Sequence, residues 1–478
     1  MNTKTKLKKD FTEGPLFFRI TLFALPIMLT GMLQILYNMA DNIVVGKFSG
    51  DPNALAAVGC TGSLTTLIIN LLLGIASGAG VVVAQLYGAK DNEKLSRTVH
   101  TSMLFSLFGG IFTALVGLIV ARPALVLMGT KPEILDSAVL YLSIICIGIP
   151  ANSVYNFGAS ILRSTGDSKT PLIILSIAGI INVVLNLVFV IGFRMTVDGV
   201  AIATITSQYI SAIAVVLCLA NKKGEAYRFS FSKLCLDKRL LSRILRYGLP
   251  TGLQSAMFSI ANVLMTSAVN TFPTSTVTAN TIAGNVDAFT YTAMNSFSQA
   301  SMTFVGQNYG AMKPERIKKS IIYSVIQVLI FGSFVSGTEL IFKHQLISLF
   351  VDKSSPDAPV VTETASSLIT MLLVAYLICG VMDIVGGALK GLGFVFNSML
   401  INMFCICGVR VFWIYVIFPM KSMNTLTGLY TVYPVSWTLA LIGMTVLFLV
   451  KYNKLKNGIF KIALEKEASK KDETSVAV

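Results

Sequence analysis

Twelve long apolar runs, each closed by a few polar or charged residues, constrain this chain more than any other feature. They fall at roughly 17–45, 55–86, 98–120, 135–162, 171–193, 198–220, 245–270, 279–308, 320–342, 362–389, 396–418 and 426–450. A helix needs ~20 apolar residues to cross the hydrocarbon core of a bilayer, so each run is long enough to span. Composition agrees: 54% of the 478 residues are hydrophobic and only 13% charged. Soluble domains carry about 25% charged residues, and none of this size hides so much apolar surface. The chain reads as an all-α integral membrane protein. Secreted, nucleic-acid-binding and cytosolic-enzyme readings of the +15 net charge fall away, because in a membrane protein charge is read loop by loop.

Read that way, the charge orients the chain. With the N-terminus placed in the cytoplasm, inside segments hold 30 of the 38 Lys and Arg residues, and outside loops hold seven: Lys47, Arg122, Lys131, Arg194, Lys343, Lys353 and Lys421. The last, Arg410, lies within a span. This bias places both termini in the cytoplasm. The organisation expected is a tail at 1–16, a first lobe at 17–220, a polar linker at 221–243, a second lobe at 244–450 and a basic tail at 451–478. The first run has no small-residue cleavage site, so it reads as a span and not as a removable signal.

The halves repeat. Gln85-Leu86-Tyr87-Gly88-Ala89 closes the second span and Gln307-Asn308-Tyr309-Gly310-Ala311 the eighth, with Glu93-Lys94 and Glu315-Arg316 following. Leu162-Arg163-Ser164-Thr165-Gly166 matches Leu389-Lys390-Gly391-Leu392-Gly393, and Leu25-Pro26 matches Leu249-Pro250. The offsets are 222, 227 and 224 residues. An even number of spans per repeat gives two six-helix bundles of one orientation, related by a pseudo-twofold along the membrane normal, an arrangement common among transporters.

Ionisable groups inside spans are costly, about 2.5–3.5 kcal/mol on insertion scales, and mark functional sites. Asp41, Asp287, Asp383 and Arg410 qualify, whereas Glu339 sits near a span end and reads as interfacial. Gln34, Tyr37, Asn38 and Asp41 recur at helical spacing as one polar stripe on the first span. Asn152 and Asn156 do so on the fourth, and Asn182 and Asn186 on the fifth. Three stripes in one half predict a shared cavity where Asp41 exchanges a proton or cation; the alternative is a structural hydrogen-bond cluster between helices. In the second half Asp287, Tyr291 and Asn295 line one face of the eighth span. Arg410 on the eleventh span is a candidate to neutralise Asp383 or Asp287, and an Asp383–Arg410 pair is either a structural clamp or a coupling element. Pro26 and Pro250 are candidate hinges. The cysteines lie mostly in apolar runs, and Cys405 and Cys407 are wrongly spaced for a shared metal. G-x-x-x-x-G-K-[ST], H-E-x-x-H and G-x-S-x-G are all absent, and the histidines are His100 and His344 alone, so neither a nucleotide engine nor an embedded hydrolase is indicated.

These motifs carry a resemblance. Leu25-Pro26 with the Asp41 stripe, Gln85-x-Tyr87-Gly88-Ala89, and Leu162-Arg163-Ser164-x-Gly166-Asp167 with Pro171 are similar to the MATE (multidrug and toxic compound extrusion) family. So are Asn182-x-x-x-Asn186-x-x-Phe189 and Gly199-Val200-Ala201-x-Ala203-Thr204-x-x-Ser207-Gln208. The resemblance covers nearly the whole chain. It implies two lobes around a cleft and export of cationic or amphipathic drugs by a monomeric antiporter of the bacterial inner membrane. The coupling ion would be a proton or sodium, with no other cofactor, no nucleotide and no nucleic acid partner. It also implies that Asp41 works with Tyr37, Asn156, Asn182, Asn186 and Thr204. Gln34, Asn38, Asn152, Asp287, Tyr291 and Asn295 are left as substrate or second-ion candidates. Prokaryotic relatives often carry Asp where this chain has Asn186, and the NorM type carries a seventh-span Glu where this chain offers only Phe258 and Asn262. The chain is therefore closer to the MepA and DinF-like groups. Lipid-linked saccharide flippases of the same superfamily are the nearest alternative, and a membrane-embedded enzyme or receptor a more distant one.

Overall fold

The computed structural model describes residues 10–49, 53–351 and 356–461. Residues 1–9 and 462–478 of the two expected tails lie outside these, as does Lys353. Long helices follow one another from end to end: α1 Leu16–Phe48, α2 Ala54–Gly88, α3 Asn92–Leu127, α4 Pro132–Ser164, α5 Lys169–Gly192, α6 Val197–Ala220, α7 Lys238–Val269, α8 Thr274–Gly310, α9 Pro314–Ile341, α10 Ala358–Gly391, α11 Val395–Ile417 and α12 Leu426–Gly458. There is no strand among the described residues. Eleven of these helices are long and apolar enough to cross a membrane. The twelfth, α8, has 37 residues and ample length, but Asn280, Asn285, Asp287, Asn295 and Gln299 dilute its apolar character. A short helix, Lys343–Ser348, follows α9.

Contacts divide the chain into two compact units. One comprises residues 25–83 and 92–262, and the other residues 1–24, 84–91 and 263–478. In the first, α3 packs on α4, and α4 and α5 on α6; in the second, α8 packs on α9 and α10, and α10 on α9 and α12. Lipid gives apolar helices little reason to associate, so close packing through small residues has to supply it. In the first unit Gly74 and Gly78 of α2 meet Gly252 and Gly248 of α7, a G-x-x-x-G pair against its counterpart. A Cβ added at Gly74 would stand 2.2 Å from the Gly252 nitrogen, and one at Gly78 2.3 Å from the Gly248 nitrogen. Backbone is all that fits there, and this contact places the first part of α7 with α2.

The second unit uses the repeated motif in the same way. A Cβ on Gly88 would lie 1.9 Å from the Gln307 carbonyl oxygen, and one on Gly310 1.9 Å from that of Gln85. Gln85 Nε2 donates to the Gly391 carbonyl at 2.8 Å. The two motif copies therefore interlock, which accounts for their shared sequence. Against them lies Phe11, stacked on Phe304 with ring centroids 3.9 Å apart. Its amide donates to Gln307 Oε1, and its carbonyl accepts from Asn308 and Arg316.

The polar segment 221–243 is docked and not merely connecting. Tyr227 and Phe229 are buried, His100 of α3 stacks on Phe229, and its Nε2 accepts from the Ser230 amide at 3.0 Å. The other ring nitrogen faces the Ser96 carbonyl at 2.7 Å, so His100 holds the segment in place. Helix α1 runs unbroken through Pro26, whose carbonyl also accepts from the Thr30 hydroxyl at 2.7 Å. Helix α7 likewise runs through Pro250.

Candidate functional site

In the first unit the structure draws α1, α5 and α6 together at Asp41. Asn186 is fully buried on α5 and donates from Nδ2 to Asp41 Oδ1 at 2.5 Å. Asn182, one turn earlier, meets the Thr204 hydroxyl of α6 at 3.4 Å and lies 3.5 Å from Asn186 Nδ2 through its own Oδ1. Thr204 has a single hydroxyl proton and two takers, the Val200 carbonyl at 2.9 Å and the Asp41 carboxylate within reach. The amide orientation of Asn186 follows from chemistry: its oxygen could not sit this close to an ionised carboxylate, so the amino group does. That leaves Asn186 Oδ1 buried with no hydrogen-bond donor, an uncommon state for an interior oxygen.

Of the other candidates, Tyr37 reaches α5 instead, donating to the Ser176 carbonyl at 3.2 Å, with its ring lying directly against Gly179. Asn156 donates to Asn152 Oδ1 at 2.8 Å, one turn apart along α4. Gln34 and Asn38 are exposed. Tyr141 of α4, unremarked in the sequence, stands close enough to experience the Asp41 charge.

The second unit holds another acidic region. Tyr376 of α10 donates to Asp287 Oδ2 at 3.1 Å and opens an aromatic series. Its ring centroid is 5.1 Å from Trp437 and 6.4 Å from Tyr291, and Trp437 is 5.5 Å from Tyr433. The Arg410 guanidinium lies over the Tyr433 ring at 4.4 Å, a cation–π contact. Tyr430 donates to Asn280 of α8. Asn295 accepts from Gln299 at 3.0 Å, and Asp383 keeps a buried Oδ2 without a hydrogen-bond partner while its backbone carbonyl accepts from Ser298. Glu339 is only 7% exposed, accepting from the Thr290 hydroxyl at 2.8 Å. Its position near the end of α9 hides that α8 covers it.

Long apolar helices with ionisable side chains buried between them define a helical membrane protein, and its family places it among transporters. The MatE family model matches residues 26–188 and 250–416, and the chain belongs to that family. It is 28% identical over 432 residues to "Probable multidrug resistance protein YoeA" of Bacillus subtilis, covering 88% of this chain and 91% of the relative. It is 23% identical to "Multidrug export protein MepA" of Staphylococcus saprophyticus, over 92% and 95% of the two chains. A solved structure, an outward-facing multidrug resistance MATE family transporter, superposes with a TM-score of 0.86 at 23% identity, over 95% of this chain and 100% of that one. The expected all-α, two-lobe, twelve-helix architecture is the fold of that family.

Proposed function

We propose that this chain is an ion-coupled antiporter that exports cationic or amphipathic drugs by alternating access, with Asp41 carrying the coupling ion. The single observation supporting this most is the pairing of Asp41 with Asn186, whose Oδ1 is buried without a donor. A carboxylate beside an unsatisfied amide oxygen suits a small cation: a proton on Asp41, or sodium held by oxygens of Asp41, Asn186 and Thr204. Filling the site neutralises Asp41 and releases the Asn186 amino group from it, so the contact between α1 and α5 depends on occupancy. Coupling follows only when the ion binds one conformation more tightly than the other. Tyr37, Asn156 and Asn182 position the helices around this site. Gln34, Asn38, Asn152, Asp287, Tyr291 and Asn295 offer polar and aromatic surface to substrate, and Asp383 with Arg410 balances charge in the second unit. The names of the relatives, a multidrug resistance protein and a multidrug export protein, support drug export, and the charge asymmetry of the loops supports an inner-membrane protein with both termini in the cytoplasm. We read it as a monomer.

The test uses purified full-length protein in liposomes containing a quenchable cationic dye, with a proton or a sodium gradient imposed separately. Gradient-driven dye movement under one ion supports the antiport reading and names the ion. Movement under neither, in protein that retains its fold, overturns it.

A further inference from the structure

Glu339 is the one buried glutamate among the described residues. Thr290 donates to its Oε2, and its Oε1 is buried with no hydrogen-bond partner. Thr290 lies three residues after Asp287 on α8, so both project from one helix face. Asp287 is the acid whose charge reaches Glu339. Tyr376 meets Asp287 from α10, so three helices close on two carboxyl groups within one turn of α8.

The surrounding groups do not neutralise two negative charges here. From α10 come the Tyr376 hydroxyl, Cys379 and Asp383; α11 brings Arg410, placed over the Tyr433 ring. From α12 come Tyr430, which turns to Asn280, and Tyr433. The short helix after α9 packs on α8 as well. Its Lys343 directs Nζ to the Thr370 hydroxyl at 3.1 Å, and His344 is exposed. Burying two like charges within a helical turn of one another is unfavourable, and a proton taken up by the pair relieves it. A proton on Glu339 also removes the demand that an ionised Oε1 places on a site with no donor.

We propose that Glu339 and Asp287 form a proton-sharing carboxyl pair, a second proton-binding site of this chain, separate from Asp41. The two acids take up protons as one coupled unit, and Thr290 and Tyr376 set which oxygens remain available. The role of this pair in antiport rests on the reading above, but its proton binding does not.

The test is infrared spectroscopy of purified protein in lipid nanodiscs, in an Asp41→Asn background, with and without isotope-labelled glutamate. Because Glu339 is the one buried glutamate described, a label-sensitive neutral-acid carbonyl band reports it. The band is expected with the wild-type glutamate and absent in Glu339→Gln. In Asp287→Asn it is expected to titrate away at a pH lower by about one unit or more, roughly a tenfold loss of proton affinity. If Glu339→Gln does not fold, the labelled Asp287→Asn protein carries the test alone. Absence of the band, or an unchanged titration without Asp287, overturns the proposal. Dye transport plays no part in this readout, so a failed antiport assay and a failed proton pair are told apart.

Discussion

Gly88→Ala tests the interlocked motif copies most sharply. The added methyl would stand 1.9 Å from the Gln307 carbonyl oxygen, 2.6 Å from its carbon and 2.7 Å from its Cα. All three are backbone atoms, so no side chain can swing away and the helix ends themselves must part. Overpacking of this kind costs about 1–3 kcal/mol. Gly59→Ala supplies the comparison on the same helix, since a Cβ there meets nothing within 4 Å, and such an exposed change stays within about 0.5 kcal/mol. Denaturant-driven unfolding in one lipid–detergent mixture should show Gly88→Ala destabilised and Gly59→Ala unmoved. If both variants match the wild type, the close approach at Gly88 is not a feature of the folded protein, and the reasoning fails.

Gly179→Ala should force the Tyr37 ring away from α5, because the new Cβ would lie 1.9 Å from ring carbon Cε2; tyrosine fluorescence quenching or a raised KM for dye checks this. Phe11→Ala removes a buried, stacked ring and should cost about 3–5 kcal/mol, read as a lower unfolding midpoint. Asn186→Leu removes both the donor to Asp41 and the orphaned oxygen; ion-driven dye transport should fall at least tenfold while the unfolding midpoint stays near that of Asn186→Ala. Tyr376→Phe deletes the hydroxyl on Asp287 Oδ2 and should lower stability by about 0.5–1.5 kcal/mol, measured by the same unfolding assay.

How much of this was legible in the sequence varies with the kind of signal. Spans follow from apolar length, and even α8, the least apolar, was visible from its flanking turns and its repeat partner α2. The Asp41 stripe was legible because helical spacing reveals which residues share a face. It does not reveal which faces meet, so the bond between Asn156 and Asn152 along α4 was not legible. The cover over Glu339 was hidden for a related reason: distance along a helix does not say whether a neighbouring helix lies over a residue. Tyr376, Tyr433 and Trp437 come from two helices far apart in sequence, with no spacing to betray their stacking. The G-x-x-x-G pairs of α2 and α7 are short motifs whose meaning appears only when the two backbones touch.

The central claim is that Asp41 takes part in transport and not merely in packing. The most direct measurement is efflux of a fluorescent cationic dye from a pump-deficient bacterial host, comparing wild type with Asp41→Asn at matched expression. A proton uncoupler and sodium omission are applied separately. Export by the wild type is expected, with its loss under one of the two treatments and none by Asp41→Asn. Normal export by Asp41→Asn would contradict it and reduce Asp41 and Asn186 to a structural contact between α1 and α5.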